Sequence, residues 1–207
     1  MGAFSSIVLL AYLLGSIPFG YIAGRISGID VREHGSRNIG ATNVWRVLGK
    51  SSGLAVFCAD ALKGFGAVRL ALWIAGESAA GNQAEFYAIL AAAASVAGHS
   101  FPIWLKFKGG KGVATSAGAL FGVIPIATIT ILIVWLVVFL VTRYVSVASI
   151  LAALALPIVV WVLVRLHLTQ GPILFYFSLG MTALVVWRHR SNISRLLNGT
   201  EQRFTRE

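Results

Sequence analysis

The fold turns on one uncharged stretch, Val113-Ala-Thr-Ser-Ala-Gly-Ala-Leu-Phe-Gly-Val-Ile-Pro125-Ile-Ala-Thr-Ile-Thr-Ile-Leu-Ile-Val-Trp-Leu-Val-Val-Phe-Leu-Val-Thr142. As a single helix its 30 residues would reach about 45 Å. That exceeds a hydrocarbon core of about 30 Å. Pro125 lacks an N–H and interrupts helical bonding. Lysine precedes the stretch at Lys111, and Arg143 ends it. Basic loops collect on the cytoplasmic side of membrane proteins. Both ends then lie on one side, so the segment crosses an even number of times. The expected solution is a pair of short spans broken near Gly122–Pro125.

Other apolar blocks lie at Phe4–Gly24, Gly53–Ala75, Glu85–Phe101, Ser146–Val164 and Gly171–Trp187. The expectation is an all-α, polytopic bundle of seven transmembrane helices, forming one domain over residues 1–207. Arg25, Arg32, Arg37, Arg46 and Lys50 follow the first block; Lys106, Lys108 and Lys111 follow the third. Arg188, Arg190, Arg195, Arg203 and Arg206 close the chain. With Arg143, 14 of the 17 basic residues become cytoplasmic when the N-terminus is periplasmic and the C-terminus cytoplasmic. The segment Gly76–Gln83, with no basic residue, falls outside.

Composition agrees. Hydrophobic residues make up 57% and charged residues 12%, about half the charged share of a soluble domain. Lipid is the solvent such a chain needs. The formal charge of +10 is explained by the cytoplasmic loops, and nucleic acid is not expected as a partner. A lone cysteine, Cys58, excludes an internal disulfide and is expected to pack among apolar neighbours. No cleavable signal peptide is expected, because no basic region precedes the first apolar run.

Four polar clusters interrupt the apolar blocks. The first is Gly35-Ser36-Arg37-Asn38-Ile39-Gly40-Ala41-Thr42-Asn43, with Arg46 beyond it. Its glycines allow sharp turns, and Ser36, Asn38, Thr42, Asn43 and Arg46 supply donors for an anion. The plainer alternative is an interfacial helix capped by Thr42 or Asn43. The second is Asp60-Ala61-Leu62-Lys63-Gly64, whose charged pair shares a helix face and is costly within a span. It suits either a buried ion pair or a binding site.

The third cluster is His99-Ser100-Phe101-Pro102 followed by Lys106-Phe107-Lys108-Gly109-Gly110-Lys111-Gly112. Successive N–H groups at such glycines can curl around an oxyanion. It is no Walker loop, which requires Gly-Lys-Ser/Thr. Last comes Arg188-His189-Arg190-Ser191-Asn192-Ile193-Ser194-Arg195, with His189 and Asn192 on one face. No His/Cys/carboxylate set has metal-ligand spacing, and neither a metal nor a cofactor is expected. Physics alone gives a cytoplasmic-face pocket for one or two phosphate-bearing ligands. A small transporter or channel for an organic phosphate would share these features.

Together the residues resemble the bacterial acyl-phosphate-dependent glycerol-3-phosphate acyltransferase family. The resemblance runs from Gly15-Ser16-Ile17-Pro18 through the Gly35–Asn43, Asp60–Gly64 and Gly98-His99 to Thr115 segments. It continues through Arg143-Tyr144-Val145-Ser146 with Ser149, and ends on His189, Asn192, Arg195, Gly199 and Glu201. Arg37 stands where many relatives have Gly. The resemblance implies an inner-membrane enzyme with a cytoplasmic active site, using acyl phosphate and glycerol 3-phosphate. A soluble phosphate acyltransferase would supply the donor. It further implies catalytic parts for Ser36, Arg46, Lys111, His189 and Asn192. Substrate contacts are implied for Asn38, Thr42, Asn43, Asp60, Lys63, Gly64, His99, Lys108, Gly109, Gly110, Gly112, Ser146 and Ser149. Since Gly64 is expected to shape the acceptor site, a large side chain there is expected to impair glycerol 3-phosphate binding selectively.

Overall fold

The structure is a computed structural model, and it describes residues 3–76, 82–169 and 171–204. Most of the Gly76–Gln83 segment, Arg206 and both extreme termini lie outside the described residues. Their regular secondary structure is all helical, with no strand among the described residues. They fall into two compact units, Met1–Val123 and Ile124–Glu207.

The first unit begins with α1 (Ala3–Gly15) and α2 (Phe19–Ile26). Together they make the single first span expected over Phe4–Gly24, here one apolar stretch from Ala3 to Ile26, interrupted in its middle. Pro18 disfavours helical backbone at the residue before it and cannot donate a helical hydrogen bond. The helix therefore opens over Ser16–Pro18, where the Ile17 carbonyl accepts from the Phe19 N–H at 3.2 Å and can take a second donor. A short helix, α3 (Ala41–Leu48), precedes the 26-residue α4 (Lys50–Ala75). Gly40, and neither Thr42 nor Asn43, is the N-cap of α3. Next come α5 (Asn82–Ser100), a 3₁₀ turn at Ile103–Leu105, and α6 (Val113–Val123).

Small residues set this packing. Ile7 and Ala11 of α1, Ala67 and Ala71 of α4, and Ala91 of α5 form one buried cluster. Alanine and glycine let helices approach closely where lipid removes the usual hydrophobic drive. Helices α4 and α6 approach closely in this way. A Cβ at Gly64 would collide with the Thr115 carbonyl oxygen, and one at Gly118 with that of Ala61. Each helix thus offers a glycine to the other's backbone. Cys58, expected to pack, is exposed on α4.

The second unit comprises α7 (Pro125–Thr142), α8 (Val145–Arg165), α9 (Pro172–Arg188) and α10 (Arg190–Leu197). The break expected near Gly122–Pro125 falls at Ile124, with Pro125 opening α7, its favoured place. α7 exposes Ile126, Ile129, Leu132, Ile133, Leu136, Val137, Leu140 and Val141. An exposed apolar face of this extent suits contact with lipid. Four helical stretches among the described residues are long and apolar enough to cross a membrane: Ala3–Ile26, Gln83–Leu105, Pro125–Thr142 and Val145–Arg165. Two shorter apolar helices, Val113–Val123 and Pro172–Arg188, accompany them.

Helix α10 ends in a Schellman motif. Gly199 takes φ +67, a conformation that glycine adopts without a Cβ clash. Its N–H reaches the Leu196 carbonyl at 3.2 Å, and that of Thr200 reaches Arg195 at 2.8 Å. The chain reverses, which returns Glu201 to the face it has just passed.

Candidate functional site

The first unit carries three of the expected clusters. In the Gly35–Asn43 loop the organiser is Asn43, only 1% exposed. Its Nδ2 donates to the carbonyls of Val31 (2.9 Å), His34 (3.2 Å) and Asn38 (2.8 Å). Its Oδ1 accepts from the Ser36 N–H at 2.7 Å. This amide is committed to the loop, so Asn43 shapes the site and has no group left over for a ligand. Asn38 Oδ1 accepts from the Gly40 N–H at 2.9 Å, an Asx turn that leads into α3. Gly35 and Arg37 both take left-handed backbone, at φ +58 and +57. Ser36, Thr42 and Arg46 are half-buried beside this turn.

Asp60 and Lys63, 2% and 4% exposed, form an ion pair at 2.7 Å. Their three-residue spacing on α4 predicts it. What the sequence did not show is the third partner. Lys63 Nζ also donates to the Ile17 carbonyl at 2.7 Å, at the break before Pro18. The ammonium lies over the Phe19 ring, 5.5 Å from its centroid. The only signal available was Pro18 itself, which marks where the helix is interrupted.

His99 joins this network from α5, with Nδ1 3.5 Å from Asp60. It also buttresses the glycine loop. The Gly110 N–H donates to the His99 carbonyl at 3.1 Å and the Gly109 N–H to the Ser100 carbonyl at 3.2 Å. A Cβ at Gly109 would strike the His99 carbonyl, and one at Gly110 the His99 ring. The expectation that these successive N–H groups curl around an oxyanion is therefore corrected. Both are turned toward the end of α5, and the glycines are needed because that end is so close. Lys108 is exposed and Lys111 half-buried, while Gly112 (φ +82) starts α6 by accepting from the Ser116 N–H at 2.7 Å. Gly64 faces the α6 backbone, which gives it a packing role whatever else it does.

The second unit carries the remaining residues around Glu201. Its Oε1 accepts from Ser146 Oγ and Asn192 Nδ2, each at 2.6 Å. Its Oε2 accepts from Arg195 Nε at 2.7 Å. Burial pushes the Glu201 carboxyl pKa up. The three hydrogen bonds and the Arg195 charge outweigh it and hold the pKa below the ordinary value of 4.5. Sequence reasoning noted Glu201 without giving it a role, because its partners depend on the reversal at Gly199. His189, 2% exposed, has Nδ1 2.8 Å from the Val185 carbonyl. A carbonyl only accepts, so Nδ1 carries the proton. Ser149 Oγ donates to Val145 O at 2.8 Å and accepts from Trp135 Nε1 at 3.1 Å. It is a packing contact of α7 and α8. Among the described residues no cluster of His, Cys, Asp and Glu could hold a metal ion.

A model of glycerol-3-phosphate acyltransferases matches residues 5–199. A glycerol-3-phosphate acyltransferase of Desulforamulus reducens is 45% identical, covering 94% of this chain and 92% of its own. That of Gloeobacter violaceus is 46% identical over 92% and 90%. Among solved structures, PlsY, an integral membrane glycerol 3-phosphate acyltransferase, matches in its glycerol 3-phosphate form with a TM-score of 0.88. Identity there is 40%, over 99% of this chain and 96% of that one. Its lysophosphatidic acid form matches with a TM-score of 0.83. The chain is an integral membrane protein and belongs to the glycerol-3-phosphate acyltransferase family.

Proposed function

We propose that this protein transfers a fatty acyl group from acyl phosphate to the 1-hydroxyl of glycerol 3-phosphate. The products are 1-acyl-glycerol 3-phosphate and inorganic phosphate, the first acylation of phospholipid synthesis. The carrying observation is the match, over nearly the whole chain, to an acyltransferase solved with glycerol 3-phosphate and lysophosphatidic acid. The basic side chains of Arg46, Lys108 and Lys111 suit phosphate-bearing substrates.

The hydroxyl oxygen attacks the acyl carbon directly. The bond from that carbon to the phosphate oxygen breaks, and phosphate leaves with the electron pair. A mixed anhydride has a good leaving group, so no acyl-enzyme is needed. The hydroxyl proton goes to a phosphate oxygen of a substrate, with His99 or His189 as protein alternatives. Arg46, Lys108 and Lys111 neutralise developing phosphate charge. Ser36 and Asn38 orient oxygens, while Thr42, Asp60, Lys63, His99 and the glycines from Gly109 to Gly112 form the surroundings that hold those groups. Ser146 also orients oxygens, and His189 and Asn192 position the acceptor.

The setting is the bacterial inner membrane, with seven crossings, a periplasmic N-terminus, a cytoplasmic C-terminus and the active site facing the cytoplasm. The basic loops support that orientation. A soluble phosphate acyltransferase would deliver the donor. Purified protein in detergent, given both substrates, should release phosphate and form lysophosphatidate in equal amounts. Uptake of an organic phosphate into proteoliposomes, with no acyl transfer in detergent, would point instead to a transporter. Reporters fused at the two ends should report opposite sides of the membrane.

A further inference from the structure

The chain leaves α5 through a short knob, residues 102–107, that turns an apolar face outward. Ile103, Trp104 and Phe107 are 48%, 61% and 58% exposed, and Lys106 between them is exposed as well. The backbone under this face is strained. Lys106 and Phe107 both take left-handed conformations, at φ +52 and +61, uncommon for a non-glycine residue and an outlier for a bulky one. Glycine at either position would relieve the strain, and neither position has it. Such strain persists where the surrounding structure fixes it. Here the Pro102 carbonyl accepts from the Leu105 N–H at 3.1 Å and from the Phe107 N–H at 3.0 Å. Leu105, 7% exposed, is the foot of the knob, packed with Val31, Ile39, Val44 and Val56. One side chain is buried in the core and its neighbours are held out of it.

The place of the knob in the chain identifies what covers that face. It lies at the end of Gln83–Leu105, a stretch long and apolar enough to cross a membrane, so the face continues the lipid-facing surface of a span. Aromatic rings settle where a span meets the headgroups, and lysine keeps its stem on apolar surface while its ammonium reaches polar groups. Residues 101–112 contain three lysines and no acidic residue, a charge that complements an anionic surface.

We infer that this knob is a membrane anchor, with Ile103, Trp104 and Phe107 seated at the boundary of headgroups and acyl chains and Lys106 holding the headgroup of an anionic phospholipid. Lys108, two residues on, is left to its proposed role toward substrate phosphate. Through Leu105 the anchor bears on Ile39 and Val44, the core beneath the loop at residues 35–43. Lipid contact thereby steadies the ground shared by two of the polar clusters.

The test uses the full chain in nanodiscs of phosphatidylcholine and phosphatidylglycerol in equal parts, with brominated acyl chains on one lipid or on the other. Bromine quenches the tryptophans it touches. The chain has six tryptophans, so the Trp104 signal is read as the emission of the wild type minus that of Trp104→Phe. That difference should be quenched, and about two- to fivefold more strongly by brominated phosphatidylglycerol, the preference one lysine gives near an anionic surface. Lys106→Gln should bring the two lipids level, while Lys106→Arg keeps the preference. Higher salt should shrink it. If Trp104→Phe folds poorly, Phe107→Trp adds an emission for which the same behaviour is expected. A signal that neither lipid quenches would put the knob outside the bilayer and overturn the inference. Equal quenching by both lipids in the wild type, or a preference that survives Lys106→Gln, would equally overturn it, since Lys106 would then hold no headgroup.

Discussion

Lys63 on α4 donates to the main-chain carbonyl of Ile17 at 2.7 Å while paired with Asp60 at the same distance. One side chain thus closes the gap that Pro18 opens in the first span and neutralises a buried carboxylate. Removing it leaves the Asp60 carboxylate without its ammonium partner and the Ile17 carbonyl with the Phe19 N–H alone. Breaking a buried ion pair by losing one partner costs about 3–5 kcal/mol, whereas replacing both with apolar or neutral groups costs far less. Lys63→Met should lower the thermal midpoint in detergent sharply, and Asp60→Asn/Lys63→Met should recover much of the loss. Equal midpoints for the single and double variants would show that the pair carries none of this stability.

Arg37 is exposed and holds φ +57. A non-glycine residue pays about 1–2 kcal/mol for that conformation. Glycine escapes the cost but gives back about 0.5–1 kcal/mol of chain entropy. Arg37→Gly should therefore raise the melting temperature by about 1–4 °C, with turnover unchanged. Arg37→Ala keeps the strain and should give no gain. A melting temperature lowered by the glycine would mean that the Arg37 side chain, not its backbone, matters to the loop.

Lys111 lies between Gly110 and Gly112 at the entry to α6. Under the proposed mechanism its ammonium group stabilises phosphate charge. Loss of one such donor costs about 10²–10³ in rate. Lys111→Ala should stay folded in the membrane and lose turnover by that factor, read as phosphate release. Near-normal turnover would reduce the segment to a loop of topological lysines.

What could be read from sequence was whatever depends on near neighbours. The Asp60–Lys63 pair follows from helix periodicity, and the break before Pro125 follows from proline chemistry. Length and charge gave the apolar blocks to within a few residues. The misses all involve distant partners. Pro18 was visible, but the opening it makes in the first helix is stabilised by Lys63, 46 residues away. Asn43 reads as a donor for an anion until its four bonds are seen to lie within its own loop. Gly109 and Gly110 read as an anion cradle until the end of α5 is seen against them. Glu201 is an ordinary tail acid until Gly199 turns it back onto Asn192.

Gly64 and Gly118 illustrate the same limit. Gly64 was expected to shape the acceptor site, with a selective effect on glycerol 3-phosphate. Structurally it meets the Thr115 carbonyl, while Gly118 meets that of Ala61. A methyl group at either position must push α4 and α6 apart, since the atoms in the way are backbone. Gly64→Ala and Gly118→Ala should each lower the yield of folded, monodisperse protein. Any protein that survives purification should show similar changes for both substrates. A normal yield with a KM defect confined to glycerol 3-phosphate would restore the acceptor-site role for Gly64.

Glu201 sets a pH signature on the second unit. Its pKa is held below 4.5 by Ser146, Asn192 and Arg195 against the opposing effect of burial. A carboxyl whose folded pKa is depressed contributes stability that is complete above its unfolded value. That contribution is lost as pH falls through the folded value. The wild type should therefore exceed Glu201→Gln in thermal midpoint by a constant margin from about pH 7 down to about pH 5. The margin should shrink as pH drops further, because the wild-type carboxyl then becomes neutral like the glutamine. A margin that stays constant under acid would show that the Glu201 hydrogen bonds survive protonation, and that charge plays no part in holding Asn192 and Arg195.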